Sequence, residues 1–388
     1  MLGLSSVFLY ALLTNRVVLV DFGPDMADLF CEPFPNSTWS LPDDFPFRNE
    51  FYDSRFRQAH SFGNFLMRNR NVAQLALPPS ILHLYLSFDY NNHDKLFYKD
   101  ENQQFLRGVP WLTLRTDEYF IPYLFLMPCF RPDLGKMFPD RETVFHHLGR
   151  YLFSPSNQAW GLITRFYDAY LARAEERIGL QIRVFNTTST PIPLVMNHIW
   201  KCTQKENLLP KLQASTTSSS STSAMDKTTK VVLIGSLYRE FYEEMKYMYW
   251  TRGGVDGGEV VGLHQASHEG NQRYQSNSHN MKAWADMYLL SLCDVLVTSP
   301  WSTFGYIAQG IGGLKPWMLN IPNPKNGVEK PLEPACSRAV SLEPCFHCPP
   351  SYDMKAKVVV DPEVGLGPPV VHCEDVSWGL KLVNDRKF

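Results

Sequence analysis

The second half of the chain alternates short apolar runs with longer segments in which apolar residues recur at helical spacing. The apolar runs predict strands at Leu180–Phe185, Lys230–Ile234, Glu259–Leu263, Val295–Ser299 and Trp317–Leu319. Helical spacing predicts helices at Trp160–Ile178, Tyr238–Trp250 and His279–Leu292. This alternation is typical of a parallel sheet covered by helices, so it predicts an α/β domain with a doubly wound topology.

The first half gives fewer regular signals. Apolar spacing predicts a buried helix from Leu4 to Leu12, followed by a strand at Val17–Asp21. The proline-containing stretches Asp25–Glu50 and Phe120–Asp140 lack a clear period and are interpreted as irregular loops. The Ser/Thr tract at 214–224 cannot bury apolar area, so it is interpreted as a disordered insertion within one domain, and the domain boundary is placed near residue 158.

Composition narrows the classes of function. The sequence has 388 residues, enough for two domains, with 37 basic and 39 acidic residues. No basic tract dominates, so a nucleic-acid partner is not expected. The spacing Cys345-Phe-His-Cys348 favours disulfides over a zinc site, because a zinc site would need a second pair of ligands. The sequons at Asn36 and Asn186 are candidate N-glycosylation sites.

The segment from Ser299 to Gly313 carries the most specific candidate chemistry. It follows the predicted Val295 strand and opens a helical pattern, which places the hydroxyls of Ser302 and Thr303 at a strand-to-helix junction. Unpaired N–H groups and the positive end of a helix dipole suit a diphosphate there. An ordinary serine helix cap explains the same residues, and the sequence leaves both interpretations open.

Arg183 stands inside an otherwise apolar run. An arginine is costly to bury unless it is paired. Near a strand end its planar fork is suited to a ligand phosphate. The alternative is a buried ion pair with an Asp or Glu.

Two polar segments follow predicted elements of the second half. His264, Gln265 and Ser267 come after the Glu259 strand, at the edge where open α/β sheets bind ligands. The spacing from His264 to His268 also resembles a metal-binding pair, but the Gly270 that follows favours a loop, so a metal is not expected.

The second polar segment opens the His279 helix. His279 and Asn280 lie in its first turn, with Ser278 as the candidate cap. Lys282 in the same turn opposes the helix dipole, a small cost that an anionic ligand would offset; a solvated lysine is the alternative.

Asp117 is the candidate general base of the first half. It lies in a polar break before Phe120, next to Glu118, where a carboxylate is suited to accept a proton. An exposed turn acid is the alternative interpretation. No GxSxG, P-loop or HExxH motif occurs in the sequence.

Taken together, several segments resemble the plant xyloglucan fucosyltransferases. The likeness extends over nearly the whole chain. The segments that carry it are residues 9–16, 25–35, 180–185, 279–291, 301–317 and 343–347, of which 301–317 (Trp-Ser-Thr-Phe-Gly-Tyr-Ile-Ala-Gln-Gly-Ile-Gly-Gly-Leu-Lys-Pro-Trp) is the most specific.

This resemblance implies a GT-B-type α/β fold with two Rossmann-like domains facing a cleft. It implies an inverting transfer of fucose from GDP-fucose to a galactosyl residue of xyloglucan, with no metal or other cofactor. Arg183 would meet the diphosphate, and Asp117 would be an acceptor-side acid that orients or deprotonates the acceptor hydroxyl, with a water relay as the alternative. The donor pocket would be completed by His264, Gln265, Ser267, His279, Asn280, Ser302, Thr303 and Phe304.

The same resemblance implies an acceptor-side domain at 1–158, a donor domain at 159–345 and a tail at 346–388 that packs back. Family members carry an upstream membrane anchor and a first strand that this sequence does not show, so the N-terminal domain is expected to be incomplete. A lumenal location at the Golgi membrane, and a homodimer or a complex with other cell-wall glycosyltransferases, are further expectations. The alternatives are a truncated, inactive GDP-binding relative and a fucosyltransferase for another acceptor, such as an arabinogalactan. Met354 stands where a family cysteine is expected.

Overall fold

The structure is a computed structural model that describes residues 1–69, 78–88, 93–188, 190–212, 229–252, 260–321, 333–353, 358–359 and 369–385. Its helices are α1 (Leu2–Leu13), α2 (Gly23–Met26), α3 (Ser54–Ala59), α4 (Phe62–Arg68), α5 (Asp100–Gly108), α6 (Ile121–Leu124), α7 (Arg131–Met137), α8 (Val144–Leu152), α9 (Asn157–Phe166), α10 (Ile192–Lys205), α11 (Glu240–Arg252), α12 (Asn277–Ser291) and α13 (Thr303–Gly312). Shorter helical segments are Glu50–Tyr52, Asp94–Tyr98, Arg141–Thr143 and the π-helical turn Tyr167–Leu171.

The strands are β1 (Ile81–Tyr85), β2 (Trp111–Arg115), β3 (Glu176–Gln181), β4 (Thr229–Gly235), β5 (Val260–His264), β6 (Val295–Thr298), β7 (Trp317–Leu319), β8 (Cys336–Arg338), β9 (Tyr352–Asp353), β10 (Val358–Val359), β11 (Val370–His372) and β12 (Leu380–Leu382). None of the helices among the described residues is long and apolar enough to cross a membrane.

The chain divides into two compact units. Unit 1 comprises residues 1–22, 32–152 and 343–388, and unit 2 comprises residues 23–31 and 153–342. The unit boundaries thus lie at 152 and 342, whereas the sequence placed domain boundaries at 158 and 345. Residues 23–31, which the sequence analysis placed in the first domain, belong to unit 2.

Unit 1 contains a parallel pair of strands, β1 and β2, with Ile81 opposite Trp111 and Tyr85 opposite Arg115. The predicted first helix is confirmed as α1, which is apolar on most of its surface and is buried along most of its length. The predicted strand at Val17–Asp21 is wrong. Val20 forms one isolated bridge with Ser40, and Val17 is 87% exposed, so this apolar run has no ladder partner among the described residues.

The stretch 120–140 was expected to be irregular, but it contains helices α6 and α7. Pro122 and Pro132 lie in the first turns of these helices, where the missing N–H would have had no intrahelical partner. The prolines therefore mark helix starts here and do not interrupt helices.

The C-terminal part of unit 1 is tied together by β11 and β12, which pair antiparallel, and by a disulfide between Cys345 and Cys373. Cys348 is buried and forms no disulfide, so the CxxC pair does not close on itself. The Cys345 sulfur lies near His347 and Asp375, but its disulfide removes it as a metal ligand.

Unit 2 is built on a six-stranded sheet with the order β5-β4-β3-β6-β7-β8. Neighbouring strands are parallel except β7 and β8, which are antiparallel. One apolar core contains side chains of α10 and α11, and a second contains side chains of α9, α12 and α13. The doubly wound prediction is confirmed, and the strand order reverses at β3 and β6, which is where such sheets bind ligands.

Two predicted boundaries in unit 2 are wrong. The strand expected at Leu180–Phe185 begins at Glu176 and ends at Gln181, because the Arg183 amide donates to the Ser299 hydroxyl (2.9 Å) and does not continue the ladder. The helix expected to reach Ile178 ends with the π-helical turn at Leu171. Ile178, the predicted end of that helix, lies in β3 and faces the core.

Candidate functional site

A cavity of about 350 Å³ lies in unit 2 at the carboxyl ends of β3, β4 and β6. Arg183 follows β3, Ser236 follows β4, and Ser302 follows β6. The cavity therefore lies at the switch point of the sheet. Seven of the predicted donor-site residues line it: Arg183, Ser267, His279, Asn280, Ser302, Thr303 and Phe304.

Arg183 lies two residues beyond the end of β3 and is half-buried. Its guanidinium donates to Gln272 Oε1 (3.1 Å) and stacks over the Phe185 ring at 4.9 Å. No ion pair to Arg183 occurs among the described residues, so the interpretation as a buried ion pair is wrong. The Arg183 guanidinium is held by two uncharged side chains, so its positive charge is available to an anion in the cavity.

The N-terminus of α13 forms another part of the cavity wall. Ser302 is buried and its hydroxyl accepts from the Gly305 amide at 3.5 Å. It therefore caps the helix, as the helix-cap interpretation of the sequence predicted. Thr303 begins the helix and is exposed. Capping uses one amide of the first turn, and the positive end of the helix dipole still faces the cavity, so the cap leaves room for an anion and the diphosphate interpretation stays a prediction.

Two backbone features fix this helix start. A Cβ at Gly305 would lie 2.9 Å from Gln181 Oε1 and 3.1 Å from Thr298 Cβ, so only glycine lets α13 approach β3 and β6 this closely. Trp301, which also lines the cavity, has φ of 57°. A bulky residue in the left-handed region is strained, and such strain clusters at functional sites.

The α12 helix supplies His279 and Asn280, but its cap is Ser276 and not the expected Ser278. The Ser276 hydroxyl accepts from the His279 amide at 3.4 Å. The Asn280 side chain donates to the Asp25 carbonyl (2.9 Å), which anchors residues 23–31 to the helix.

Glu269 is a carboxylate of the cavity wall that the sequence analysis missed. It accepts a hydrogen bond from Lys282, which holds the pKa of Glu269 below its usual range. Its other oxygen lies 3.7 Å from His279 Nδ1 and 3.9 Å from Arg273 Nε. Lys282 is thus half-exposed and ion-paired, and it does not stand alone in the first turn as either sequence interpretation assumed.

Asp286 is the second missed carboxylate. It lies on the buried face of α12 between Ala285 and Leu289 and lines the cavity. Burial raises its pKa to about 7, and the Ser267 hydroxyl donates to it. An acid on the apolar stripe of a helix is the sequence signal that could have identified this residue.

His264 and Gln265 do not line the cavity. The His264 ring packs 4.8 Å from the Tyr170 ring, and burial lowers its pKa. Gln265 donates to the carbonyl of Ser236 (2.9 Å), a lining residue, so it supports the wall from behind.

In unit 1, Asp117 lies two residues beyond the end of β2, at the carboxyl end of the parallel pair, and is exposed. Its Oδ1 accepts the Phe88 amide at 3.1 Å. The neighbouring Glu118 is buried, and burial raises its pKa. Asp117 therefore offers an accessible carboxylate, whereas Glu118 does not.

The two sequons lie in exposed positions. Asn36 adopts φ of 56° in a surface turn, and the Asn186 side chain accepts from the Thr188 amide at 2.8 Å. Asn186 follows the lining residue Phe185, so it lies near the mouth of the cavity.

The family model described as xyloglucan fucosyltransferase matches residues 1–355. A galactoside 2-alpha-L-fucosyltransferase of Pisum sativum is 51% identical over 386 residues, which cover 99% of this chain and 66% of that protein. Fucosyltransferase 2 of Arabidopsis thaliana is 51% identical over 388 residues, with 99% and 70% covered. The chain thus spans about two thirds of the length of these curated relatives.

Among solved structures, an Arabidopsis thaliana FUT1 mutant in complex with GDP superposes with a TM-score of 0.84 and 49% identity, covering 98% of this chain and 80% of that one. The expected GT-B-type α/β fold is confirmed by this match. With the family model covering most of the sequence and relatives at half identity, the chain belongs to the xyloglucan fucosyltransferase family.

Proposed function

We propose that this protein transfers fucose from GDP-fucose to a galactosyl residue of xyloglucan without a metal ion. The observation that carries the proposal is the cavity at the switch point of unit 2, in which Arg183 and the α13 N-terminus converge. Membership of the family and the similarity to a GDP-bound structure support the nature of the donor. The name of the pea relative supports a galactoside acceptor.

On the donor side, the diphosphate would bind the Arg183 fork and the first turn of α13, both of which favour negative charge. The guanine would present its N1–H and N2 amino donors to the two oxygens of the Asp286 carboxylate, and both oxygens accept only when the group is ionised. His279, Asn280, Ser302, Thr303 and Phe304 would complete the donor site, with His264 and Gln265 supporting it.

On the acceptor side, Asp117 would take the proton. The acceptor oxygen attacks the anomeric carbon from the face opposite GDP, the bond from that carbon to the phosphate oxygen breaks, and the hydroxyl proton moves to the carboxylate. GDP leaves as an anion, and cationic and helix-terminal groups stabilise the developing charge, so a metal is not needed.

The setting would be the secretory pathway, at the lumenal side of the Golgi membrane. The disulfides Cys202–Cys336 and Cys345–Cys373 and the exposed sequons at Asn36 and Asn186 support an oxidising compartment.

The test is transfer of labelled fucose from GDP-fucose to galactosylated xyloglucan, with xyloglucan stripped of galactose as the acceptor control. Arg183→Ala should abolish transfer and weaken GDP binding, and Arg239→Ala should change neither, since Arg239 is exposed and pairs with Glu243 one turn further along α11. Asp117→Asn should abolish transfer and leave GDP binding intact. Transfer should survive a chelator.

Transfer to an arabinogalactan and not to xyloglucan would replace the acceptor and keep the donor. GDP binding with no transfer to either would favour an inactive relative. Normal transfer by Arg183→Ala would remove the assigned donor site.

A further inference from the structure

Phe88 exposes an aromatic ring next to the acceptor-side acid. The side chain is 54% exposed and lies three residues beyond the end of β1. Its backbone N–H donates to Asp117 Oδ1 at 3.1 Å. An exposed ring and an exposed carboxylate, each following one of two neighbouring parallel strands, are therefore tied together at the sheet edge where ligands bind.

The loops that carry these two residues are joined by further hydrogen bonds. The Leu86 amide donates to the Arg115 carbonyl at 2.8 Å, and the Thr116 hydroxyl donates to the Leu86 carbonyl at 2.8 Å. The Thr116 hydroxyl also accepts from the Glu118 amide at 3.0 Å. The backbone beneath Phe88 and Asp117 is thus held in place before any ligand arrives, which lowers the entropy cost of binding.

The exposed Phe88 ring is not part of an aromatic cluster of the described residues. In the part of the chain that the structure describes, its ring pairs with no other ring, unlike Phe97 or Phe120, which pack in edge-to-face contacts. A single exposed phenylalanine is common on protein surfaces. This one differs because its own amide holds the acid that the reaction would use.

A galactosyl ring fits this pair of groups. One face of the sugar is formed by C–H bonds at neighbouring carbons and is apolar, so it can cover an aromatic ring, while its hydroxyls point sideways. We propose that Phe88 is the stacking platform for the acceptor galactose and directs its reactive hydroxyl to Asp117 Oδ2. This inference rests on the proposed function, and makes Phe88 the residue that selects galactosylated acceptors.

The experiment measures binding of a xyloglucan oligosaccharide, and of the same oligosaccharide after removal of galactose, with GDP present. The wild type should prefer the galactosylated form, and Phe88→Ala should weaken its binding at least about tenfold and lose the preference. Phe88→Trp should retain it. Trp111→Ala is the matched control, because Trp111 is 48% exposed but begins β2, at the opposite end of the same strand pair.

All variants should bind GDP equally, and where transfer is measured, Phe88→Ala should raise the acceptor KM more than it lowers kcat. The platform is refuted if Phe88→Ala keeps its preference for galactose while its melting temperature and GDP binding are normal, or if the wild type binds both oligosaccharides equally. Transfer with an unchanged acceptor KM in Phe88→Ala would sink the platform and leave the proposed function standing. Galactose-selective binding without transfer would support the platform and refute the proposed function.

Discussion

The Ser267 hydroxyl donates a hydrogen bond to the carboxylate of Asp286 at the wall of the donor cavity. Asp286 is 8% exposed, and burial raises its pKa to about 7 even though the Ser267 bond acts in the opposite direction. The negative charge of Glu269 raises this pKa further, and Lys282 lowers it. The wall of the cavity therefore carries an acid that titrates near neutral pH.

Asp286→Asn should stabilise the empty protein in a pH-dependent way. The folded-state pKa of this acid lies above its unfolded value, so the folded protein holds a proton there between about pH 4 and 7 that the unfolded chain has lost, and stability falls as pH rises through that window. Asparagine does not titrate. The melting temperature of the variant relative to wild type should therefore climb from pH 4.5 to pH 8, corresponding to about 3 kcal/mol.

Glu343, whose pKa burial raises to about 8, contributes a slope of the same sign, but it is present in both proteins and cancels in the difference. A difference between the melting temperatures that stays constant across this range would contradict the assigned titration of Asp286.

GDP binding should strengthen as pH rises across the same window. The guanine N–H groups need the ionised form of Asp286, and the ionised fraction rises about tenfold from pH 6 to pH 8 for a group of pKa 7. Titration calorimetry of the wild type should show this gain in affinity. The β-phosphate of GDP also titrates in this range, so Asp286→Asn, which retains that contribution, serves as the reference. Parallel pH profiles for the two proteins would remove Asp286 from the guanine site.

The sequence predicted the parts of the site that local patterns determine. Arg183, Ser302 and Thr303 follow apolar strands, and the carboxyl ends of parallel strands meet at one edge whatever the details of the loops. Periodicity could not place the end of β3, because the apolar run continues to Phe185 while the Ser299 side chain replaces the ladder at Arg183. The apolar residues of that run are equally compatible with a strand that continues to Phe185 and with a strand that ends before Arg183.

Tertiary contacts determine the parts of the site that local sequence patterns could not predict. Glu269 lies in a polar loop with no period, and only its approach to His279 and Lys282 brings it to the cavity. His264 was assigned to the pocket because it follows a strand, yet β5 is the edge strand of the sheet, and its last side chain turns to the Tyr170 ring. His264 lies far from the switch point and Arg183 lies next to it. This difference can be predicted only when the order of the strands in the sheet is known.

The two disulfides should contribute unequally to stability. Cys202–Cys336 closes 134 residues and Cys345–Cys373 closes 28. Chain entropy assigns about 5 kcal/mol to the first and about 4 kcal/mol to the second. Denaturant titrations of the two double-alanine variants should rank Cys202→Ala/Cys336→Ala as the less stable, with GDP protection measured alongside because this bond lies in unit 2. The reverse ranking would show that native packing around the sulfurs outweighs loop length.

Gly305→Ala should damage both stability and the donor cavity. The new methyl group would lie 2.9 Å from Gln181 Oε1 and 3.1 Å from Thr298 Cβ. Either the buried Gln181 side chain, which accepts the Ser299 amide, must turn away, or α13 must shift and carry Ser302 and Thr303 with it. A loss of about 1–3 kcal/mol in the free energy of unfolding is expected from overpacking, together with weaker GDP binding. Gly135→Ala is the matched control: it also lies in a helix, α7, but a Cβ there meets nothing within 4 Å, so helix propensity should leave it neutral or slightly more stable. Denaturation and GDP titration of the two variants test this directly, and unchanged GDP affinity in Gly305→Ala would mean that the close approach of α13 serves packing alone.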